Sequence, residues 1–480
     1  MFSWTFDPET NGILLTPDRQ TKRNSEVSPV WHEELQAFIG DKIRIPESEA
    51  PIGWYYRGGY YHRGQKFARR REAEIELLAD PGELHPVDID GMSERNAAML
   101  AELESMSAQT LRHELTTRGI RSFRIAYSAG KDSEALLAFA LKNFPEYISA
   151  AVFADTTLEF PQTLEHVEAT RARLEAWGID LETAKPYLEA LTGWRLFGVP
   201  SRSCRWCCQA CKSGALAKIA DGGEAYLMGA RDIESKYRAG YSIDAGRRSL
   251  SSAPTFRPLY DWTASEVWLY LFHEHAKINS VYRHGHHRAC CIVCPFSSPF
   301  EVEISKRMAS EQIEPFRQEY LRQFPGHEQN FDRRYKGDAG TWSRVNAQML
   351  AGDFPIREKI EDGIYKFTLP KDESLNIYWI NLLKKVYDAR TYNQKDNKFI
   401  IQYFTKAHTS NNRLLVNMMN RAFYCVGCGY CINYCANNYI KIVEGRLIID
   451  EENCSHCLEC VENECIRSKA LRGYAGTKKN

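Results

Sequence analysis

No cysteine occurs before Cys204, although the 480-residue chain holds fifteen. Thiols confined in this way exclude a disulfide framework spread over the fold and point to metal ligation or redox work. Long apolar runs are missing too. No stretch approaches the ~18 residues a spanning helix needs, so no membrane partner is expected. The opening Met1-Phe-Ser-Trp-Thr-Phe-Asp7 lacks the basic and apolar regions of a signal peptide. A cytoplasmic location is therefore the expectation. Neither sign of charge dominates, since 62 Lys and Arg balance 62 Asp and Glu. Net charge thus gives no argument for a nucleic-acid partner.

What is present is organised in blocks. The length exceeds one hydrophobic core and predicts three or four folding units. Residues 1–110 read as an accessory region, with short aromatic-rich strands, a Gly58-Gly59 turn and helical spacing from about Ser93. Residues 111–300 alternate strand and helix. The expected elements are strands Phe123–Tyr127, Ala150–Ala154 and Ala225–Met228, and helices Ser133–Phe144, Pro161–Trp177 and Thr263–His273. This alternation predicts an α/β fold with a doubly wound, mostly parallel sheet. Residues 301–420 read as a helical and connecting module, 421–470 as a compact cysteine module of α+β type, and 471–480 as a basic tail.

Ser128-Ala-Gly-Lys-Asp-Ser133 sits between the first strand and its helix. A small-residue loop feeding a helix N-terminus is a phosphate cradle, and Lys131 adds a point charge. Ser128 and Asp155 both fall at strand carboxyl ends, where ligands bind in such sheets. Tyr55, Tyr56, Tyr60 and Tyr61 interleave with Arg57, Arg63, Lys66, Arg69, Arg70 and Arg71. That segment and the basic tail are candidate contacts for tRNA or DNA, and a solvated surface is the alternative. Arg283, His284, His286, His287 and Arg288 precede Cys290 and are candidate anion contacts, with a solvated loop as the alternative.

The cysteines form two sets. Cys425-x2-Cys428-x2-Cys431-x3-Cys435 is followed by Cys454-x2-Cys457-x2-Cys460-x4-Cys465. This spacing resembles a bacterial two-cluster [4Fe–4S] ferredoxin, in which the fourth cysteine of each run serves the other cluster. The resemblance implies one cluster on Cys425, Cys428, Cys431 and Cys465 and another on Cys454, Cys457, Cys460 and Cys435. The strand pair Tyr439–Val443 and Arg446–Ile449 would be the hairpin between the halves. Ala436 and Ile466 stand where that family places proline, and the second run has one spacer residue more. Zinc, the alternative, more commonly takes paired cysteines. The other set is Cys204, Cys207, Cys208 and Cys211, then Cys290, Cys291 and Cys294. Adjacent cysteines are poor zinc ligands, so an iron–sulfur cluster on Cys207, Cys208, Cys291 and Cys294 is the first reading. Cys204, Cys211 and Cys290 are substitutes; zinc and free thiols remain open.

Five segments together resemble the phosphoadenosine phosphosulfate (PAPS) and adenylylsulfate reductase family, within the PP-loop adenine-nucleotide alpha hydrolases. They are Ser128–Ser133, the Asp155-Thr156 stretch up to Pro161, Gly229–Ser235 with Arg238, Arg257–Trp262, and the cysteine pairs Cys207-Cys208 and Cys291-x2-Cys294. The resemblance implies a Rossmann-like fold and an adenine nucleotide: ATP, adenylyl sulfate or PAPS. It implies that Ser128, Ala129, Gly130, Lys131, Asp132 and Ser133 hold the phosphate or sulfate end, with Lys131, Asp132 and Arg231 as catalytic groups. Asp155 and Thr156 would face the ribose and adenine, Arg231 and Arg238 would make bidentate anion contacts, and Glu234 would pair with one of them. Ala129 and Thr157 replace usual glycines, so the loop is expected to avoid positive φ at Ala129. The family's closing E-C-G-x-H is absent; its echo, Glu464-Cys465-Ile466, uses a cysteine already assigned as a cluster ligand. The first expectation is an oxidoreductase that takes electrons from a low-potential donor and reduces nucleotide-activated sulfate through its fused ferredoxin module. The alternatives are an ATP-dependent sulfur transferase on tRNA or DNA, and a non-enzymatic electron-transfer scaffold.

Overall fold

A computed structural model describes residues 2–18, 26–201, 204–219, 224–232, 254–332, 357–361, 364–370, 375–387, 390–394, 398–404, 412–435 and 437–475. The chain opens with a hairpin of β1 (Ser3–Asp7) and β2 (Gly12–Thr16). A five-stranded antiparallel sheet follows, made of β3 (Val27–Val30), β4 (Gly53–Tyr56), β5 (Gly59–His62), β6 (Gln65–Arg71) and β7 (Glu74–Leu77), with α1 (His32–Ile39) between β3 and β4. The β4–β5 turn is Arg57-Gly58, both left-handed at φ 46 and 79. This corrects the expected Gly58-Gly59 turn: two consecutive left-handed residues match the strand twist, and Gly59 already belongs to β5. Helix α2 (Ile89–Thr117) starts before Ser93 because Asp88 caps it, accepting from the Gly91 amide at 3.0 Å. It runs through residue 110, and its buried Leu100, Leu103, Leu111 and Leu115 share one core with Phe123 and Ile125.

The central sheet alternates with helices in the order β8 (Phe123–Tyr127), α3 (Lys131–Asn143), β9 (Ile148–Ala154), α4 (Pro161–Glu175), β10 (Asp180–Ala184), α5 (Ala190–Phe197), α6 (Gly214–Ile219), β11 (Ala225–Met228), β12 (Thr255–Phe256) and α7 (Ala264–His273). Its spatial order is β10-β9-β8-β11-β12, with every pairing parallel. The chain leaves β8 in one direction to build β9 and β10, then returns to its other side for β11. The crevice between the carboxyl ends of β8 and β11 is therefore the switch point. The doubly wound reading holds. Helix α7 begins at a capping box, with Thr263 Oγ1 accepting from the Glu266 amide and the Glu266 carboxylate from the Thr263 amide.

After α8 (Pro299–Gln323) and α9 (Glu328–Asp332), strands Arg357–Glu361, Ile364–Pro370, Lys398–Phe404 and Arg390–Gln394 form an antiparallel sheet that the sequence reading did not anticipate. Helices Ile377–Tyr387 and Asn412–Tyr424 bury Trp379, Leu383 and Met418 in one core with Ile440, Leu447 and Ile449 of the cysteine module. Its hairpin, Ile440–Val443 with Arg446–Ile449, turns on Glu444 and Gly445 at φ 49 and 74. Among the described residues, no helix is long and apolar enough to cross a membrane.

Candidate nucleotide and iron–sulfur sites

The loop after β8 is folded around one hydroxyl. Ser133 Oγ accepts from the amides of Ser128 and Gly130 at 3.1 and 3.2 Å and donates to the Gly130 carbonyl at 2.9 Å. Ala129 sits at φ 55, which corrects the expectation that the loop avoids positive φ there. The left-handed conformation costs an alanine about 1–2 kcal/mol. It is held by Asn279, whose Nδ2 donates to the Ala129 carbonyl at 3.0 Å and to Thr163 Oγ1 at 3.1 Å. The Tyr282 hydroxyl accepts from the Lys131 amide at 2.8 Å and the Ala289 amide at 3.1 Å. Neither Asn279 nor Tyr282 was legible in the sequence, because both arrive from far along the chain.

Across the switch point, Arg231 Nε donates to Asp132 Oδ1 at 2.5 Å, and Lys131 Nζ donates to Asp132 Oδ2 at 2.7 Å. Arg231 is 2% exposed and also donates to the Trp262 carbonyl at 3.2 Å. Burial alone would raise the Asp132 pKa, but Arg231 and Lys131 hold it down to about 2. Gly229 permits this approach: a Cβ there would lie 2.6 Å from the Asp132 carbonyl oxygen. Lys131, Asp132 and Arg231 thus form one charge cluster, with two cations sharing one carboxylate at a helix N-terminus. A helix N-terminus flanked by two cations suits an anion, although the Lys131 amide itself is taken by Tyr282. Glu234 and Arg238 lie outside the described residues.

At the end of β9, Asp155 Oδ1 accepts from the Thr157 amide at 2.9 Å, and Thr157 is left-handed at φ 60. Thr156 Oγ1 donates to Glu159 at 2.6 Å. Burial raises the Glu159 pKa, and its charge reaches Cys211 and Cys291. Glu159 was not singled out in the sequence; its link to Thr156 three residues earlier is the signal that could have found it.

The cysteine loop is anchored to this same segment, since the Ile292 amide donates to the Leu158 carbonyl at 2.9 Å. Cys207 feels Cys208, Cys291 and Cys211, and Cys294 feels Cys208. Hydrogen bonding from Cys207, with Lys212, Arg205 and Arg288 nearby, lowers the Cys208 thiol to about 6. The structure thus brings Cys207, Cys208, Cys291 and Cys294 into one neighbourhood edged by cations. Four sulfur donors in one neighbourhood fit a four-iron cluster; burial raises the Cys291 and Cys294 thiols, and the hydrogen bond to Cys208 with burial raises Cys207. Of the substitutes, Cys204 is buried beside Ser201, Cys211 donates to the Leu188 carbonyl at 3.7 Å, and Cys290 turns toward His286.

In the C-terminal module, Cys425, Cys428, Cys431 and Cys465 feel one another. A separate pocket is lined by Cys435, Cys454, Cys457 and Cys460 with Leu382 and Ile440. Two four-cysteine sets in apolar walls fit two four-iron clusters. Backbone and side-chain donors already reach the sulfurs: the Tyr439 amide to Cys435 at 3.2 Å, and buried Arg421 Nε to Cys431 at 3.3 Å. This module docks on the nucleotide domain beside the π-helical stretch Cys208–Ser213. Gln209 Nε2 donates to the Tyr430 hydroxyl at 3.2 Å, and Gly214 packs so closely that a Cβ would lie 3.1 Å from the Cys428 carbonyl oxygen. Arg467 Nε donates to the Leu196 carbonyl at 3.1 Å.

The basic-aromatic segment is partly spent inside the fold. Tyr60 is fully buried and donates to Glu34 at 2.7 Å; Arg70 donates to Glu34 at 2.9 Å and stacks on Tyr55. Arg69 pairs with Glu76. Arg57, Arg63, Lys66 and Arg71 remain exposed. The basic run before Cys290 is likewise dispersed: Arg283 pairs with Glu33, His287 stacks on Tyr55, and Arg288 faces the cysteines. Side chains of the tail beyond Ala470 lie outside the described residues.

Residues 122–297 match the model of the phosphoadenosine phosphosulfate reductase domain. An uncharacterized protein of Methanocaldococcus jannaschii is 32% identical over 192 residues, 38% of this chain and 38% of that one. The adenosine 5′-phosphosulfate reductase of Bacillus pumilus is 28% identical over 146 residues, 30% of this chain and 61% of that one. A solved phosphoadenylyl-sulfate reductase from Candida auris, in a phosphate complex, aligns at 20% identity and a TM-score of 0.29, covering 39% of this chain and 91% of that one. The chain spans about two fifths to three fifths of the length of the curated relatives it matches first.

Proposed function

We propose, from the premise that residues 122–297 are a phosphoadenosine phosphosulfate reductase domain, that the chain is an iron–sulfur enzyme reducing nucleotide-activated sulfate to sulfite. The observation that carries this reading is the seam between the two cysteine sets. The loop of Cys428 and Tyr430 lies on the π-helical stretch that follows Cys207, through the Gln209–Tyr430 hydrogen bond and the Gly214 contact. Electrons accepted by the C-terminal module would thus pass across a direct packing contact to the stretch that carries Cys207 and Cys208.

Bound at their cysteines, the clusters supply electrons one at a time. For adenylyl sulfate the balance is two electrons and one proton in, and AMP and bisulfite out. The S–O bond to the phosphate oxygen breaks, and that oxygen leaves with AMP. Lys131, Arg231 and the first-turn amides of α3 hold the anionic end of the substrate and stabilise charge developing on the leaving phosphate. Asp132 keeps the two cations in place until the anion arrives. Asp155 and Thr156 take the ribose and adenine side. The protein needs no closing nucleophilic thiol, because its own module replaces the thiol donor.

A second reading, ATP-dependent sulfur transfer to tRNA or DNA, is favoured by the exposed Arg57, Arg63, Lys66 and Arg71 on the N-terminal sheet. One experiment separates the two. Anaerobically purified protein with a reduced low-potential dye is given adenylyl sulfate or PAPS, and sulfite is measured. Sulfite formation that is lost in Lys131→Ala supports reduction. No sulfite, together with AMP or pyrophosphate released from ATP only when RNA or DNA is added, would replace it with sulfur transfer.

A further inference from the structure

Cys290 and Cys291 are joined by one peptide bond, and Cys290 has a neighbour of its own. Cys291 feels the charges of Cys208 and Cys294 as well as Cys290, whereas Cys290 Sγ lies 3.6 Å from His286 Nδ1. Among the described residues, a ring nitrogen of His286, the Cys290 sulfur and a Glu301 carboxylate oxygen lie within 4.8 Å of one another. His286 is 2% exposed and Glu301 5%. The His286 ring packs on Phe160 at 4.9 Å, which fixes its plane. Its Nε2 is buried with no hydrogen-bond partner.

We propose that His286, Cys290 and Glu301 bind one zinc ion, at a site separate from the iron–sulfur ligands. One nitrogen, one sulfur and one oxygen donor is a familiar zinc set, and it leaves the fourth tetrahedral position to water. The spacing agrees. With Zn–N of about 2.0 Å and Zn–S of about 2.3 Å, tetrahedral ligand atoms stand about 3.5 Å apart; His286 Nδ1 and Cys290 Sγ are separated by 3.6 Å. The two anionic ligands, a thiolate and a carboxylate, neutralise the dication, with the Arg288 guanidinium beside both.

The ion would work as a clamp. His286 follows Tyr282, which holds the Lys131 amide, and Glu301 is in the first turn of α8. Zinc would pin the intervening segment, and with it Cys291 and Cys294, against the nucleotide loop. Glu301 can serve both ends, because its Oε2 already accepts from the Ser298 amide at 2.7 Å as a helix cap.

The test is metal content by mass spectrometry on anaerobically purified, cluster-replete protein. We expect about one zinc per chain, falling below about 0.2 in His286→Gln and Glu301→Gln with iron unchanged. Glutamine keeps the α8 cap and removes the anionic ligand. Cobalt exchanged into the wild type should give a thiolate-to-cobalt charge-transfer band that Cys290→Ser removes. This spectrum decides the matter if a glutamine variant does not fold. Zinc that is equal in variants and wild type, no metal uptake on adding zinc alone, or iron lost in step with zinc would overturn the proposal.

Discussion

Replacing Asn279 with alanine tests how the phosphate loop is held. Asn279 is 2% exposed and makes three hydrogen bonds: to the Ala129 carbonyl at 3.0 Å, to Thr163 Oγ1 at 3.1 Å, and from the Val281 amide at 3.1 Å. Each is worth about 1 kcal/mol net, and a buried backbone group left without a partner costs about 1–3 kcal/mol. The truncation should therefore cost about 3–5 kcal/mol. Ala129→Gly acts in the opposite sense but weakly. It removes about 1–2 kcal/mol of left-handed strain. It also gives up about 0.8 kcal/mol of buried methyl and about 0.5–1 kcal/mol of backbone entropy. Alone it should be within about 0.5 kcal/mol of neutral. In the Asn279→Ala background, glycine should recover about 1 kcal/mol, because an unpinned alanine leaves the left-handed well and loses its burial as well. Anaerobic urea unfolding of the four proteins, with pyrophosphate affinity by calorimetry, measures both the cost and the coupling. An Asn279→Ala protein within about 0.5 kcal/mol of wild type, with pyrophosphate affinity within about twofold, would refute the pinned-loop argument.

Other outcomes follow from the same geometry. Gly229→Ala should cost about 1–3 kcal/mol by overpacking and weaken nucleotide binding, since its Cβ would press on the Asp132 carbonyl and the Ser133 amide; calorimetry and unfolding midpoints check it. Asp132→Asn strands buried Arg231 and should cost about 3–5 kcal/mol at neutral pH. The folded pKa of Asp132 lies near 2, below its ordinary value of 3.8, so its stabilisation is fully present above about pH 4 and is lost as pH falls through 2. The gap between wild type and variant should thus be the same at pH 7 and pH 5; a gap that closes by pH 5 contradicts the assignment. Iron analysis should give about twelve atoms per chain, falling by about four in Cys207→Ala with Cys208→Ala; fewer than about seven in the wild type removes the central cluster.

The readable parts of the sequence were those encoded locally. Phe123–Tyr127 and Ala225–Met228 are apolar runs bounded by turn residues, and Thr263 with Glu266 is a capping signal three residues long. The loop Ser128–Ser133 and the cysteine runs carry their chemistry in their spacing. Strand β10 was missed because Asp180-Leu-Glu-Thr-Ala184 shows its polar edge as much as its apolar face. The positive φ of Ala129 was predicted wrongly because the residue enforcing it is 150 positions away. The fates of Tyr60 and Arg70 were hidden for the same reason, since Glu34 reaches them only through the folded sheet. Residue type limits what a side chain can do; tertiary partners decide which of those options it takes.

Cys465 groups with Cys425, Cys428 and Cys431, and the helix that follows it buries Ile466 and Ala470 in the main core and ties Arg467 to Leu196. The segment that carries Cys465 is thus also a latch on the central α/β domain. During synthesis the parallel sheet leaves the ribosome long before that cysteine does. Assembly therefore has a built-in order, in which the sheet is complete before the segment that latches onto it is made. A ribosome that stalls before Arg467 would release a sheet whose docking bond to the module has not yet formed.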